Sequence, residues 1–282
     1  TTSFRDLWPE VEHTDLSQVL LAMRELGPGE LPDARSCRQT LDACSLPVRL
    51  ATMPSWGGGS ISILPHDDMV SEAAEYLQSD LAVRGMLNSL ADTFDLAIID
   101  HPMDGVMLVA NALAATDYVI MPLMPEAPAL EGADSTLRLL ARTRQRGHQI
   151  SLGGILLTRC DPRSKRAADV TRTLTQSGEV EGESLHRKLF PFAVRQSEFF
   201  EQAFRYGVPV WDRTEDASHW AGYVLLAGWV MRGAGLSHLL ASPRLAMRLE
   251  PTTRIVDSMA IALGRPEVDY KDFQDSYDAL SV

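Results

Sequence analysis

Apolar residues recur along this chain at two spacings, and the spacing switches repeatedly between helical and strand-like. Leu16, Val19, Leu20 and Met23 fall at helical intervals within residues 15–26, and Gly27-Pro28-Gly29 ends that run. A second helix is expected over 35–43. Short strands are expected over 48–53 and 60–64, around the loop Ser55-Trp56-Gly57-Gly58-Gly59. Residues 70–90 read as helical with a break near Gly85. Residues 94–100, Phe-Asp-Leu-Ala-Ile-Ile-Asp, form a short apolar run ending in a carboxylate, the pattern of a buried parallel strand that stops at a site. Then come a helix over 106–115, a strand over 118–123, and a helix over 130–146 with Leu130, Ala133, Leu137, Leu140 and Ala141 on one side. A strand over 153–157 and a helix over 166–174 follow. Such alternation predicts an α/β fold with a mostly parallel sheet flanked by helices. A further helix is expected over 217–231. Beyond it Gly233 and Gly235 break the pattern, and Pro243, Pro251 and Pro266 punctuate a helical appendage over 236–282. The expected organisation is therefore an α/β domain over 1–235 and a C-terminal extension over 236–282.

Charge changes this picture in one respect. The 282 residues hold 26 Lys and Arg against 38 Asp and Glu, which alone argues against a nucleic-acid partner. Between Arg138 and Arg213, however, 14 Lys and Arg face 8 Asp and Glu, while the rest of the chain carries 12 against 30. Brought to one face, the basic residues would neutralise phosphates without reading sequence; left scattered, they are solvated helix surface. The tail is acidic, with Glu267, Asp269, Asp272, Asp275 and Asp278 against Lys271. Cysteine is scarce (Cys37, Cys44 and Cys160), so a disulfide scaffold is not expected and a reduced, cytoplasmic setting is. No apolar stretch is long enough to span a bilayer, and the first residues lack the basic and apolar regions of a signal peptide.

Asp100 is the first candidate for chemistry. A carboxylate at the end of a buried strand suits a magnesium ion, held directly or through water, although a capping aspartate has the same pattern. Residues 94–102, FDLAIIDHP, resemble the YDFIIIDCPP segment of ParA-type partition ATPases. The likeness continues in order. Residues 108–117 resemble LLTINALVAAD, with Asn111 and Ala112 aligned, and residues 120–132, IMPLMPEAPALEG, resemble IPVQPEYFALEG. GILLTRCD at 154–161 resembles GVLLTMYD, FPFAVRQSE at 190–198 resembles IPRNVRLSE, and YGVPV at 206–210 resembles SYGKPI. The collinear match runs over residues 1–232.

The resemblance implies a P-loop NTPase fold of the ParA/MinD type, ATP and magnesium as cofactors, and an ATP-dependent homodimer. It further implies non-specific DNA binding and a ParB-like partner that stimulates hydrolysis. Asp100 would hold magnesium through water and be the catalytic carboxylate. Thr158, Arg159 and Pro191 would lie near the base, and Arg195, Arg163, Lys165 and Arg166 would face DNA. The departures are specific. The family's deviant Walker loop, KGGxGKTT, has no counterpart: Lys165, Lys188 and Lys271 are the only lysines and none follows a glycine, while Gly57-Gly58-Gly59-Ser60 lacks the lysine. Thr1 falls just after the family's DPQGNLT segment, so the first strand, phosphate loop, first helix and second strand are expected to be absent, by truncation or by loss of the phosphate-binding half. The chain as given is then expected not to hydrolyse ATP alone. Phe192-Ala193 replaces the family's Arg-Asn pair, and His101 replaces its cysteine, read here as a strand-end histidine. The alternative is a non-hydrolysing interaction protein on a degenerate ParA scaffold. A MinD-like membrane association would want a basic amphipathic C-terminal helix, which the acidic, proline-broken tail does not provide.

Overall fold

A computed structural model describes residues 20, 23–28, 30–33, 35, 38, 46–47, 62–64, 70–100, 106–161, 164–176, 178–208 and 210–236. The expected strand over 48–53, the glycine loop over 55–59, His101, Arg163, Cys37, Cys44 and residues 237–282 lie outside them. The chain divides into two compact units, one of Thr1–Asp117 with Thr143–Ile150 and the other of Tyr118–Arg142 with Ser151–Val282.

In the first unit, β1 (Leu46–Pro47) and β2 (Ser62–Ile63) form a short antiparallel pair. Three helices, α1 (Val70–Glu75), α2 (Ala82–Asn88) and α3 (Val106–Ala114), share a core with Leu20, Met23, Leu77, Val83, Met86 and Leu108. Asn111 is fully buried in this unit and fully satisfied: its Oδ1 accepts from Val83 N–H at 3.2 Å, and its Nδ2 donates to the Ser79 carbonyl at 2.9 Å and the Met107 carbonyl at 3.1 Å. The helical region interrupts at 76–81, not at Gly85. Ser79 explains this, because its hydroxyl donates to the Glu30 carbonyl and accepts from Leu81 N–H, taking bonds a continuous helix would use. Gly85 stays inside α2 because any side chain there would run into the Pro32 ring.

Residues 94–100 correct the sequence reading. They carry no strand pairing; Ile98 is 85% exposed and Leu96 41%, while Ile99 packs on the core of the unit. The run is apolar on both sides, but only one side meets a core. A strand also needs a neighbour for its N–H and C=O groups, and among the described residues none pairs with it.

The second unit holds the predicted parallel sheet. Its order is β3 (Tyr118–Leu123), β4 (Ser151–Cys160) and β7 (Leu189–Arg195), with both pairings parallel. Between β3 and β4 runs α4 (Ala127–Gln145), on which Ala133, Leu137 and Leu140 are buried as their spacing predicts. From β4 the chain passes through α5 (Lys165–Gln176), a small hairpin of β5 (Glu179–Val180) and β6 (Glu183–Ser184), and a single turn, α6 (Leu185–Lys188), into β7. The helices α7 (Glu198–Tyr206) and α8 (Ala221–Gly233) follow, and α8 packs on β7. The central strand β4 is buried along most of its length, as a strand covered on both faces must be.

Two glycines let aromatic rings close on the sheet. Val119 pairs with Leu152 and Ile120 with Gly154, so Gly153 is an extra residue in β4. A Cβ on Gly153 would stand 2.7 Å from Trp229, and one on Gly154 would stand 2.6 Å from the Phe190 ring. Phe190 and Trp229 meet edge to face at 5.1 Å between centroids, in the core with Leu156, Phe192 and Val194. The α/β architecture with a parallel sheet is as the sequence predicts.

Candidate nucleic-acid interface

Parallel strands present their carboxyl ends to ligands, because loops and helix N-termini gather there. In the second unit this edge is built by the ends of β4 and β7. Cys160 pairs with Arg195, and the recess beside them, of about 360 Å³, is lined by Cys160, Asp161, Arg195 and Gln196. Gln196 N–H donates to the Cys160 carbonyl at 3.3 Å and ties the two ends together.

The end of β4 is irregular. Leu157 pairs with Ala193 and Cys160 with Arg195, so Thr158 and Arg159 oppose the single residue Val194. This bulge puts Arg159 at φ 50°, the left-handed region that side chains other than glycine occupy at a cost of about 1 kcal/mol. Arg159 is exposed and Thr158 half-buried. Pro191 is buried in mid-strand of β7. Lys165 and Arg166 are exposed in the first turn of α5, which starts within a few residues of the end of β4. Arg163 lies outside the described residues. Thr158, Arg159 and Arg195 thus stand at the paired ends of β4 and β7, Lys165 and Arg166 open the helix that follows β4, and Pro191 lies inside the sheet.

Arg195 is partly buried and specifically held. Its Nη1 donates to Ser218 Oγ at 2.8 Å. Ser218 N–H donates to Asp216 Oδ1 at 2.9 Å, and His219 Nε2 lies 3.5 Å from Asp216 Oδ2. The Asp216 carboxyl is pulled below the ordinary carboxylate range, first by the Ser218 backbone N–H, then by the Ser218 hydroxyl, with smaller contributions from the charges of His219 and Arg195. Cys160 goes the other way: burial, helped by the negative charge of Asp161, pushes its thiol up to about 11. That thiol is packing, not a nucleophile. Sequence reasoning missed Ser218 and Asp216, which lie more than twenty residues from Arg195 and carry no motif.

Asp100, in the first unit, is exposed at the end of the unpaired run. Among the described residues no group of three or more His, Cys, Asp or Glu side chains is arranged to hold a metal ion. Magnesium in nucleotide sites leans on one or two carboxylates plus the substrate's phosphates. Asp100 is the carboxylate that would serve a magnesium ion in this way.

Known proteins with similar sequences set this edge in context. The model of a family described as an AAA domain matches residues 59–152. The chain is 31% identical to the chromosome-partitioning ATPase Soj of Treponema pallidum over 140 residues, 49% of this chain and 53% of that one. It is 30% identical to the chromosome partitioning protein ParA of Myxococcus xanthus over 147 residues, 51% and 50% of the two chains. An uncharacterized protein of Pseudomonas putida is 30% identical over 182 residues, 62% of this chain and 65% of its own. The chain is similar to ParA-type partition ATPases. It spans between half and two thirds of the length of these relatives. The described residues carry a parallel sheet, with Arg195 at the end of β7 and Lys165 and Arg166 exposed in the first turn of α5. No helix among the described residues is long and apolar enough to cross a membrane.

Proposed function

We propose that this chain is a ParA-like partition ATPase, which positions DNA through non-specific contacts to its backbone. The observation that supports the reading is Arg195 at the end of β7, with Lys165 and Arg166 exposed in the first turn of the helix that follows β4, in a chain otherwise rich in acid. Arginine and lysine at such an edge pair with phosphates wherever the backbone passes, and carry no base readout. In this reading ATP and magnesium close a homodimer that binds DNA, and a ParB-like partner stimulates hydrolysis and release. By resemblance, Asp100 would hold magnesium through water, and Thr158, Arg159 and Pro191 would each be expected near the base.

The test is binding of the 282-residue chain to duplexes of unrelated sequence, followed by fluorescence anisotropy over a range of salt with magnesium and ATP present. The expected result is equal affinity for all duplexes and a steep loss with salt. Preference for one sequence, or affinity independent of salt, would overturn it.

A further inference from the structure

Ser218 stands between a cation and an anion. Its hydroxyl accepts from Arg195 Nη1 at 2.8 Å, while the Ser218 backbone N–H donates to Asp216 Oδ1 at 2.9 Å. The turn carrying both residues is fixed from behind. His219 Nε2 reaches Asp216 Oδ2, and the His219 ring packs edge-on against Phe199 at 4.8 Å. Phe199 belongs to the first turn of α7, whose cap is Ser197 Oγ, accepting the Phe199 N–H. The path therefore starts at the last residue of β7, crosses the 216–219 turn and returns to the helix that begins just after β7. Trp220 Nε1 and the Asp216 N–H bond to Thr214, which secures the turn's other side.

Guanidinium carries five N–H donors in a fixed fork. Among the described residues Ser218 is its hydrogen-bond partner here. A direct carboxylate partner would use the fork and cancel the charge. One hydroxyl in between orients the group, keeps its charge and leaves donors over for an incoming anion.

We propose that Ser218, backed by Asp216, is the positioning residue of Arg195, holding its guanidinium at the sheet edge in a pose ready for a DNA phosphate. The assignment rests on the proposed DNA role of Arg195. Fixing a long side chain before binding removes an entropic cost that the complex would otherwise bear.

The experiment is a double-mutant cycle on the 282-residue chain, with duplex affinity read at one fixed salt concentration and the folding of each variant checked by circular dichroism. Ser218→Ala should weaken DNA binding about three- to ten-fold. Ser218→Thr, which keeps the hydroxyl, should restore it to within about two-fold. Ser218→Asp, which puts a carboxylate directly on Arg195, should weaken it further than Ser218→Ala. In an Arg195→Ala background, Ser218→Ala should add nothing, because the group it positions is gone. A purely structural serine would instead cost the same in both backgrounds, and that additivity would overturn the proposal, as would an unaffected Ser218→Ala variant. If Arg195→Ala alone leaves binding unchanged, the DNA contact fails first and this proposal falls with it. A normal Arg195 effect with additive Ser218 leaves the contact standing and sinks only the positioning role.

Discussion

Two glycines in the same helix should respond oppositely to the same substitution. Gly222 and Gly228 both lie in α8, where alanine is intrinsically worth up to about 1 kcal/mol over glycine. At Gly228 a Cβ meets nothing within 4 Å, so Gly228→Ala should stabilise by about 0.5–1 kcal/mol. At Gly222 a Cβ would stand 2.6 Å from the Ala193 carbonyl oxygen, 3.1 Å from its carbon and 3.2 Å from Val194 Cγ2. Two of those atoms are backbone of β7 and cannot rotate aside. Forcing α8 off the strand costs about 1–3 kcal/mol, which exceeds the propensity gain and leaves a net loss of about 1 kcal/mol. The two variants should differ by roughly 2 kcal/mol in urea denaturation followed by far-UV circular dichroism, with unchanged m-values. Because α8 backs the strand that ends in Arg195, Gly222→Ala should also loosen the carboxyl edge of the sheet. A Gly222→Ala protein as stable as the parent would refute the claim that close approach, not chance, keeps glycine there.

Other consequences follow from single side chains. Asn111→Ala should cost about 2–4 kcal/mol, because it strands the Val83 N–H and the Ser79 carbonyl in a buried setting; a melting midpoint equal to the parent's would contradict this. Arg159→Gly should be close to neutral in stability, whereas Arg159→Val should lose about 1–2 kcal/mol at the same left-handed position; equal stabilities would show that the bulge moves freely. With its thiol at about 11, Cys160 should resist iodoacetamide at neutral pH until the protein unfolds, as peptide mapping would show; alkylation of the native protein as fast as of the unfolded would refute it. The same raised value fixes a sign. The stability linked to this thiol is complete below its ordinary value of 9.0 and falls as pH rises towards 11, so alkaline titration should destabilise the native state over that window.

The sequence revealed elements whose apolar pattern meets a core in the way the pattern implies. The helix over 127–145 and the strand over 151–160 are of this kind, since one buries a stripe and the other both faces. Residues 94–100 misled because an apolar run reports affinity for a core, not the presence of a neighbouring strand. The break at 76–81 was placed at Gly85 because glycine is the local signal, whereas the structural cause is Ser79 bonding to residues distant in sequence. β7 is not predicted by the sequence pattern, since Pro191 inside it argues locally against a strand. At the site, resemblance pointed to Arg195 and the bulged pair at 158–159. It could not give the left-handed φ of Arg159 or the Ser218–Asp216 support, because both arise from how β4, β7 and the 216–219 turn meet.

The proposed DNA role rests above all on Arg195 as a phosphate contact at the edge of the sheet. The slope of log affinity against log salt, measured for the 282-residue chain and for Arg195→Ala on the same duplex, tests this directly. Loss of one such contact should make the slope shallower by about 0.9, equally for duplexes of any sequence. An Arg195→Ala slope equal to the parent's would contradict it.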